Sequence, residues 1–436
     1  MRDLTKAAFS FSWAMSMFGA QQMFNLFRPS QTAQSFEKVT SAAEEEFGQP
    51  LQNIYKTGDD LQRRMVDALF GVFPSCGGCG DKQPDSNRAA APPPNPPVAP
   101  APRSSGWDAI TVSRPPASEA QSRQSGNGAQ AASIPHESDI SPDYPFEPHY
   151  IDVFGSNMHY IEAGNGEPIV FIHGNPTWSY LWRNVLPHLV PYGRCIALDL
   201  IGYGRSDKPE IEYQWTDHAR YVEEFFRKMG LKNVVVVLHD WGVSLGLNYA
   251  MRHERNVRAI AFMEGIFRTF PQWNDFSTPE FRELFMKFRS GGEGGEGWQL
   301  IVEQNFFIEH LLSGGVGRQL SEAEMNYYRE PFKSKQSRIP IWRLARSVPV
   351  NTEPREVWNA LTDITEKLRR SKLPKILFHG TPGGIITEEN VDWCRKNLRN
   401  LETVFIGPGV HYVQETSPHL IGSKLADWYN RLEELR

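Results

Sequence analysis

Val234-Val235-Val236-Val237-Leu238-His239-Asp240-Trp241-Gly242-Val243 is the stretch that decides the fold. Its first five residues are apolar and four of them β-branched, which suits a strand covered on both faces in a parallel sheet. A helical pattern begins near Val243, so strand and helix are joined by a sharp turn at Asp240. A turn of that kind lifts one side chain to the carboxyl end of the sheet, beside the free N–H groups of the helix start.

Further runs repeat the theme on either side: Pro168–Ile172, Cys195–Leu200, Val257–Met263, Lys375–Phe378 and Thr403–Ile406 read as strands alternating with helices. That alternation specifies an α/β fold with a mostly parallel sheet. The rhythm breaks between about Thr269 and Val348, where aromatic-rich helical patterns replace it; an insertion there, after the sixth core strand, reads as a helical cap. The catalytic domain is accordingly expected over 146–436, with its cap over about 269–348.

Two regions of different composition precede it. Residues 1–73 read as a helical region. Ala7–Phe27 carries no charge but is diluted by serine, glutamine and asparagine, which leaves a helix on a hydrophobic surface, a packed helix and a membrane span all open. Phe47, Leu51, Ile54, Gly58, Leu61, Met65, Ala68 and Val72 then recur at alternating four and three, the seam that two helices share. Self-association, a membrane or another hydrophobic surface are the partners this region suggests. Residues 74–145 read as a linker: seven prolines fall within Ala91–Pro102, and such a composition buries too little apolar surface to offset its ordering entropy.

Composition bounds the partners. Across 436 residues, 46 Lys and Arg stand against 51 Asp and Glu, a net charge of −5. A nucleic-acid surface needs a basic excess or stripe, so that class of partner is excluded. Cys195 and Cys394 sit in apolar segments and read as buried thiols. Cys76 and Cys79 are spaced for a local disulfide or a flexible glycine-rich turn, and no further ligand nearby completes a zinc site. No metal or cofactor is expected. The compartment reads as cytoplasmic, with a peripheral attachment left open.

The chemistry follows from the turn. Gly242-Val243-Ser244-Leu245-Gly246 matches the G-x-S-x-G pattern of serine enzymes, yet Ser244 lies four residues beyond the turn, on the helix. Asp240 occupies the turn itself. Gly242 and Gly246 read instead as the glycines that let helix and strand approach closely. An aspartate nucleophile attacks an sp³ carbon bearing a leaving group and forms an alkyl ester, which an activated water then hydrolyses. The base is expected at His411, after the last strand; His173, His239 and His379 are placed less well. Glu264, closing the strand Val257–Met263, is the acid expected to hold the base's tautomer. Asn175 and Trp241 are positioned to donate to a departing anion.

These residues resemble the haloalkane dehalogenases of the α/β-hydrolase superfamily. The resemblance spans about two thirds of the chain and rests on His173 to Asn184, Asp199 to Ser206, His239 to Gly242, Met263-Glu264, Glu303 to Phe307 and His411 to Glu415. It implies Asp240 as nucleophile, His411 as base, and Glu264 as acid in the subfamily whose acid follows the sixth strand. It further implies Asn175 and Trp241 as halide ligands whose backbone N–H groups form the oxyanion hole, with Phe285, Phe307, Leu344 and Ile385 around the substrate. The expected partners are a small halogenated alkane, water and the released halide. Ala345 departs from the family, which usually has proline there, a difference that bears on tunnel shape and substrate range and not on the reaction. Renilla-type luciferases and epoxide hydrolases are the competing relatives; Pro176 argues against the first and Asn175 against the second.

Overall fold

The computed structural model describes residues 140–277 and 279–434. The helical reading of residues 1–73, nearly all of the linker 74–145, and Cys76 with Cys79 lie outside the described residues.

One eight-stranded sheet organises the described chain, in the order β1-β2-β4-β3-β5-β6-β7-β8. β3 (Pro168–Ile172), β4 (Arg194–Leu198), β5 (Val234–Asp240), β6 (Val257–Gly265), β7 (Lys375–Pro382) and β8 (Leu401–Gly409) run parallel to one another. β1 (Pro148–Val153) and β2 (Ser156–Ala163) form an antiparallel hairpin on the β4 edge. Every residue of β5 is buried, as its unbroken apolar run requires. The strands extend beyond the expected runs at their carboxyl ends: β5 reaches Asp240, β6 reaches Gly265 and β7 reaches Pro382. β4 is shorter than expected and stops at Leu198, leaving Asp199 and Leu200 in the following turn.

Helices α1 (Trp215–Lys228) and α2 (Trp241–Arg252) flank β5 in sequence. The second begins at Trp241, two residues earlier than its pattern suggested. Close approach of α2 to the sheet depends on two glycines. A Cβ on Gly242 would stand 2.2 Å from the Ile172 carbonyl oxygen, and one on Gly246 would stand 2.3 Å from Leu238 Cδ2.

Between β6 and β7 the chain builds the cap from α3 (Pro279–Arg289), two π-helical segments (Gln299–Glu303 and Phe307–Leu312), α4 (Glu322–Arg329) and α5 (Ile339–Ala345). It then returns to the main layer with α6 (Arg355–Arg370), which packs on α2. α7 (Glu388–Asn397) and α8 (Pro418–Glu434) complete the fold. Among the described residues no helix is long and apolar enough to cross a membrane.

The packed chain starts before the expected boundary at 146. Ser141 donates its N–H to Asn184 Oδ1 and its carbonyl accepts from Arg183 Nε (2.9 Å) and Asn184 Nδ2. The Pro142 carbonyl accepts from the Tyr180 hydroxyl, and the Tyr144 hydroxyl bonds Ser179 Oγ. Residues 141–144 thus form a strap over the loop that follows β3.

Candidate active site

The strand β5 ends in Asp240, whose backbone takes φ 53° and ψ −124°. That conformation is rare for a residue with a Cβ and aims the carboxylate across the top of the sheet. Oδ1 accepts a 2.6 Å hydrogen bond from the Asn175 backbone N–H. The Trp241 N–H, at the start of α2, also favours the ionised carboxylate. Gly174 makes room for this: a Cβ there would sit 2.1 Å from Asp240 Oδ1. Burial alone would raise the Asp240 pKa, but the hydrogen bond and charge of His411, with the Trp241 N–H, hold it below the ordinary value. The carboxylate is therefore ionised.

Ser244 is elsewhere. It is fully buried on α2, where its hydroxyl donates to the Trp241 carbonyl (3.0 Å) and accepts from Trp215 Nε1 (2.8 Å). The G-x-S-x-G pattern is a packing feature in this chain.

His411 follows β8 and turns its two ring nitrogens to two carboxylates. Nε2 lies 3.4 Å from Asp240 Oδ2, and Nδ1 lies 3.5 Å from Glu264 Oε2. Burial works against the imidazolium, but hydrogen bonds and charge from Asp240 and Glu264 outweigh it and raise the pKa to about 9. Glu264 sits next to the elbow because β6 continues to Gly265, which pairs with Asp240. Its Oε2 accepts from the N–H groups of Gly384 (3.0 Å), Ile385 (2.8 Å) and Ile386 (3.4 Å). The loop after β7, which carries no acid of its own before Glu388, serves instead as an N–H nest for the acid from β6. The Gly383-Gly384 pair is the only sequence sign of that nest.

Asp240, Trp241, Asn175 and His411 line one cavity with Phe281, Phe285, Phe307, Leu311, Ile385 and Tyr412. Its volume of about 10 Å³ admits roughly one water-sized body. Four expected pocket residues therefore divide: Phe285, Phe307 and Ile385 line the cavity, while Leu344, buried on α5, is not among the lining residues. Phe281, Leu311 and Tyr412 were not anticipated.

The Asn175 side chain is held at both ends. Its Nδ2 donates to the Ile341 carbonyl of α5 (3.0 Å), and its Oδ1 accepts from the Tyr203 hydroxyl (3.3 Å), which is also within reach of the Pro340 carbonyl. The second Nδ2 hydrogen is left for the cavity. Behind it, His173 accepts the Leu200 N–H at Nε2, so its Nδ1–H donates to the Gly174 carbonyl. Burial depresses its pKa, and it acts as a neutral brace for the loop. His239 donates Nε2–H to the His411 carbonyl (3.0 Å) and has no free path to substrate. Burial and the nearby His411 push it down to about 3. His379 lies within β7 and is not among the cavity residues.

The two tyrosines that would serve an epoxide-opening cap are occupied. Tyr327 stacks on Tyr180 at 4.5 Å between centroids, and the buried Tyr328 donates its hydroxyl to Glu415. Neither lines the cavity.

A strained acidic elbow beneath a helical cap defines an α/β hydrolase, and the family model of the α/β hydrolase fold matches residues 167–418. A haloalkane dehalogenase of Mesorhizobium japonicum is 42% identical over 280 residues, covering 64% of this chain and 89% of that protein. One from Sphingobium indicum is 40% identical over 296 residues, covering 66% and 97%. Among solved structures, the haloalkane dehalogenase DbeA from Bradyrhizobium elkani superposes with a TM-score of 0.65 at 40% identity, over 67% of this chain and all of that one. DatA from Agrobacterium tumefaciens C58 gives 0.62 at 37% identity, over 66% and 97%. The chain belongs to the haloalkane dehalogenase family.

Proposed function

We propose that the protein hydrolyses small halogenated alkanes to an alcohol and a halide ion, with Asp240 as nucleophile. The observation that carries this reading is the asymmetry of the Asp240 carboxylate. Oδ1 accepts the Asn175 backbone N–H at 2.6 Å, whereas Oδ2 faces His411 at 3.4 Å. Oδ2 is the atom free to attack.

In the first step Asp240 Oδ2 forms a bond to the carbon and the carbon–halogen bond breaks, its electron pair leaving on the halide. The indole N–H of Trp241 and the side-chain amide of Asn175 donate to that ion in a cavity otherwise walled by apolar groups. In the second step His411 Nε2 takes a proton from water, and the hydroxide attacks the carbonyl carbon of the ester. The oxyanion develops on Oδ1, which already accepts the Asn175 N–H, with the Trp241 N–H at the helix start as the second donor. Collapse releases the alkoxide, which takes a proton and leaves as the alcohol; Asp240 returns to a carboxylate and one proton is released with the halide. No oxidant, reductant or metal enters the balance.

The raised pKa of His411 fits this order. Beside two carboxylates it holds a proton, but esterification removes the charge of Asp240 and one of the two partners that hold it. The first step therefore converts His411 into a base for the second.

The test uses short bromoalkanes and three variants. Wild type and Ser244→Ala are expected to release halide continuously, and Asp240→Asn to release none. His411→Phe is expected to accumulate an alkyl adduct on Asp240, read by mass spectrometry of the peptide. An adduct on another residue, or a loss of two or more orders of magnitude in Ser244→Ala, would sink the reading. Light emission with coelenterazine in place of halide release would assign the chain to luciferase chemistry.

A further inference from the structure

The ring of His411 is held only at 3.4 and 3.5 Å by its carboxylate partners. Its backbone is held more tightly. The His411 carbonyl accepts from His239 on β5 at 3.0 Å, and its N–H donates to the Gly315 carbonyl at 3.0 Å, with the Tyr412 N–H joining at 2.9 Å. Gly315 belongs to the cap, in the turn after the second π segment. It must be glycine at this distance, because a Cβ would stand 2.8 Å from the Tyr412 ring. The base is therefore fixed by a main-chain contact that the cap supplies.

What fixes that cap turn is a buried ionic cluster three residues further on. Arg318 donates to the Glu415 carbonyl (2.7 Å), to Glu415 Oε2 (2.8 Å) and to both oxygens of Glu324 at the start of α4. Arg183, from the loop after β3, donates to both oxygens of Glu415, to Glu324 Oε1 (2.8 Å) and to the Ser141 carbonyl of the strap. Tyr328 adds its hydroxyl to Glu415. Gly317 N–H bonds Thr416 Oγ1 at 3.0 Å, next to Glu415. The side chains of Arg183, Glu324 and Glu415 are at most 4% exposed. Each carboxylate meets two guanidinium groups, so every charge is paired, and removing one partner leaves its neighbours buried and uncompensated.

We propose that this cluster is a clamp that positions His411 for the hydrolytic step, with Arg318, Glu324 and Glu415 as positioning residues that act through the Gly315–His411 main-chain bonds. The cap thereby sets the second half-reaction as well as covering the pocket. Alkylation needs only Asp240 and the anion donors Asn175 and Trp241, and none of these three bonds to Arg318, Glu324 or Glu415. Ester hydrolysis needs the ring of His411 within reach of a water and of the ester carbon, and a displacement of about 1 Å there can cost up to roughly a hundredfold.

This inference rests on the two-step reading above, and the experiment separates them. Arg318→Gln is the variant of choice, since Arg318 is the most exposed member at 11%; Glu324→Gln is the second. Halide burst and ester decay are followed in single turnovers on the full-length protein, with the alkyl-enzyme weighed at each time. The burst is expected to stay within about twofold of wild type while ester decay slows by at least about tenfold, so that the alkyl-enzyme accumulates in the steady state. Arg318→Lys is expected to recover part of the decay rate. Equal slowing of both steps in the folded variants, slowing of the burst alone, or an unchanged decay rate would each overturn the clamp. Absence of any ester in wild type would instead overturn the two-step reading itself. Should Arg318→Gln not fold, the same comparison in Glu324→Gln decides.

Discussion

Asp240 and Glu264 stand at φ 53° and 40°, a region that costs a residue with a side chain about 1–3 kcal/mol. Asp240 ends β5 and Glu264 is the last residue but one of β6, and both present an ionisable group to the same imidazole. The electrostatics of that trio set a pH dependence whose sign can be worked out. The His411 pKa is raised to about 9 in the folded protein, above its ordinary value of about 6.5. Its contribution to stability is full below pH about 6.5 and is lost as pH rises towards about 9. The Asp240 pKa is depressed, so its contribution is lost on the acid side instead. Melting temperature is therefore expected to fall across pH about 6.5 to 9 in wild type, and to fall less in Asp240→Asn, where one of the two carboxylates beside His411 is gone. Thermal melts of the two proteins at stepped pH measure it; equal slopes would argue against the coupling.

At the scale of elements, what was legible follows from periodicity. β3 and β5 are built on unbroken apolar runs, and β6 and β7 carry shorter ones, Ala259–Met263 and Ile376–Phe378, so these strands announce themselves. β1 and β2 do not: Pro148–Val153 and Ser156–Ala163 mix exposed and buried residues at the sheet's edge, and a short alternating pattern rich in histidine, tyrosine and asparagine is hard to tell from a loop. Asp240, His411 and Glu264, the residues read as nucleophile, base and acid, could be singled out because each lies at or just after the carboxyl end of a strand. The pocket lining was legible in part: Phe285, Phe307 and Ile385 were expected, whereas Leu311 was not. Leu311 belongs to a π segment, where each wider turn shifts the facing side by one residue, so a 3.6-residue periodicity does not point to it. Glu264's partners escaped for another reason: backbone N–H groups carry no residue signature. The elbow also supports a prediction at this scale. Because a Cβ on Gly242 would meet backbone atoms of Ile172 and His173, nothing soft can yield. Gly242→Ala is expected to lower the melting temperature sharply or prevent folding. Gly230→Ala, where a Cβ meets nothing within 4 Å but φ is +63°, is expected to cost only about 1 kcal/mol. Melting curves of the pair rank them.

For the molecule as a whole, two thirds of the chain accounts for the entire length of DbeA. The catalytic domain has its own core among the described residues. The first third was read from composition alone, where hydrophobic patterning speaks of association but names no partner. The strap refines where the two parts divide. A protein cut at Pro142 would lose the Ser141 carbonyl that Arg183 and Asn184 hold. A protein beginning near residue 136 keeps it, and is expected to retain kcat/KM within about threefold of the full chain, a difference under about 1 kcal/mol. Steady-state halide release from the two lengths checks this. A folded but inactive shorter protein would mean that the first third completes the site.

The unequal hold on the two Asp240 oxygens also leaves an isotopic record. The attacking oxygen departs with the alcohol, so in water enriched in heavy oxygen the first alcohol made by each molecule carries light oxygen from the protein. The replacement comes from solvent and enters the side facing His411. Oδ1 stays under the 2.6 Å bond from Asn175 in the space that Gly174 leaves open, so the carboxylate does not turn over between cycles. The second alcohol is therefore expected to be fully labelled, where a freely rotating carboxylate would give an even mixture of light and heavy product. Counting isotopes over successive limited turnovers reads whether that side chain keeps its orientation.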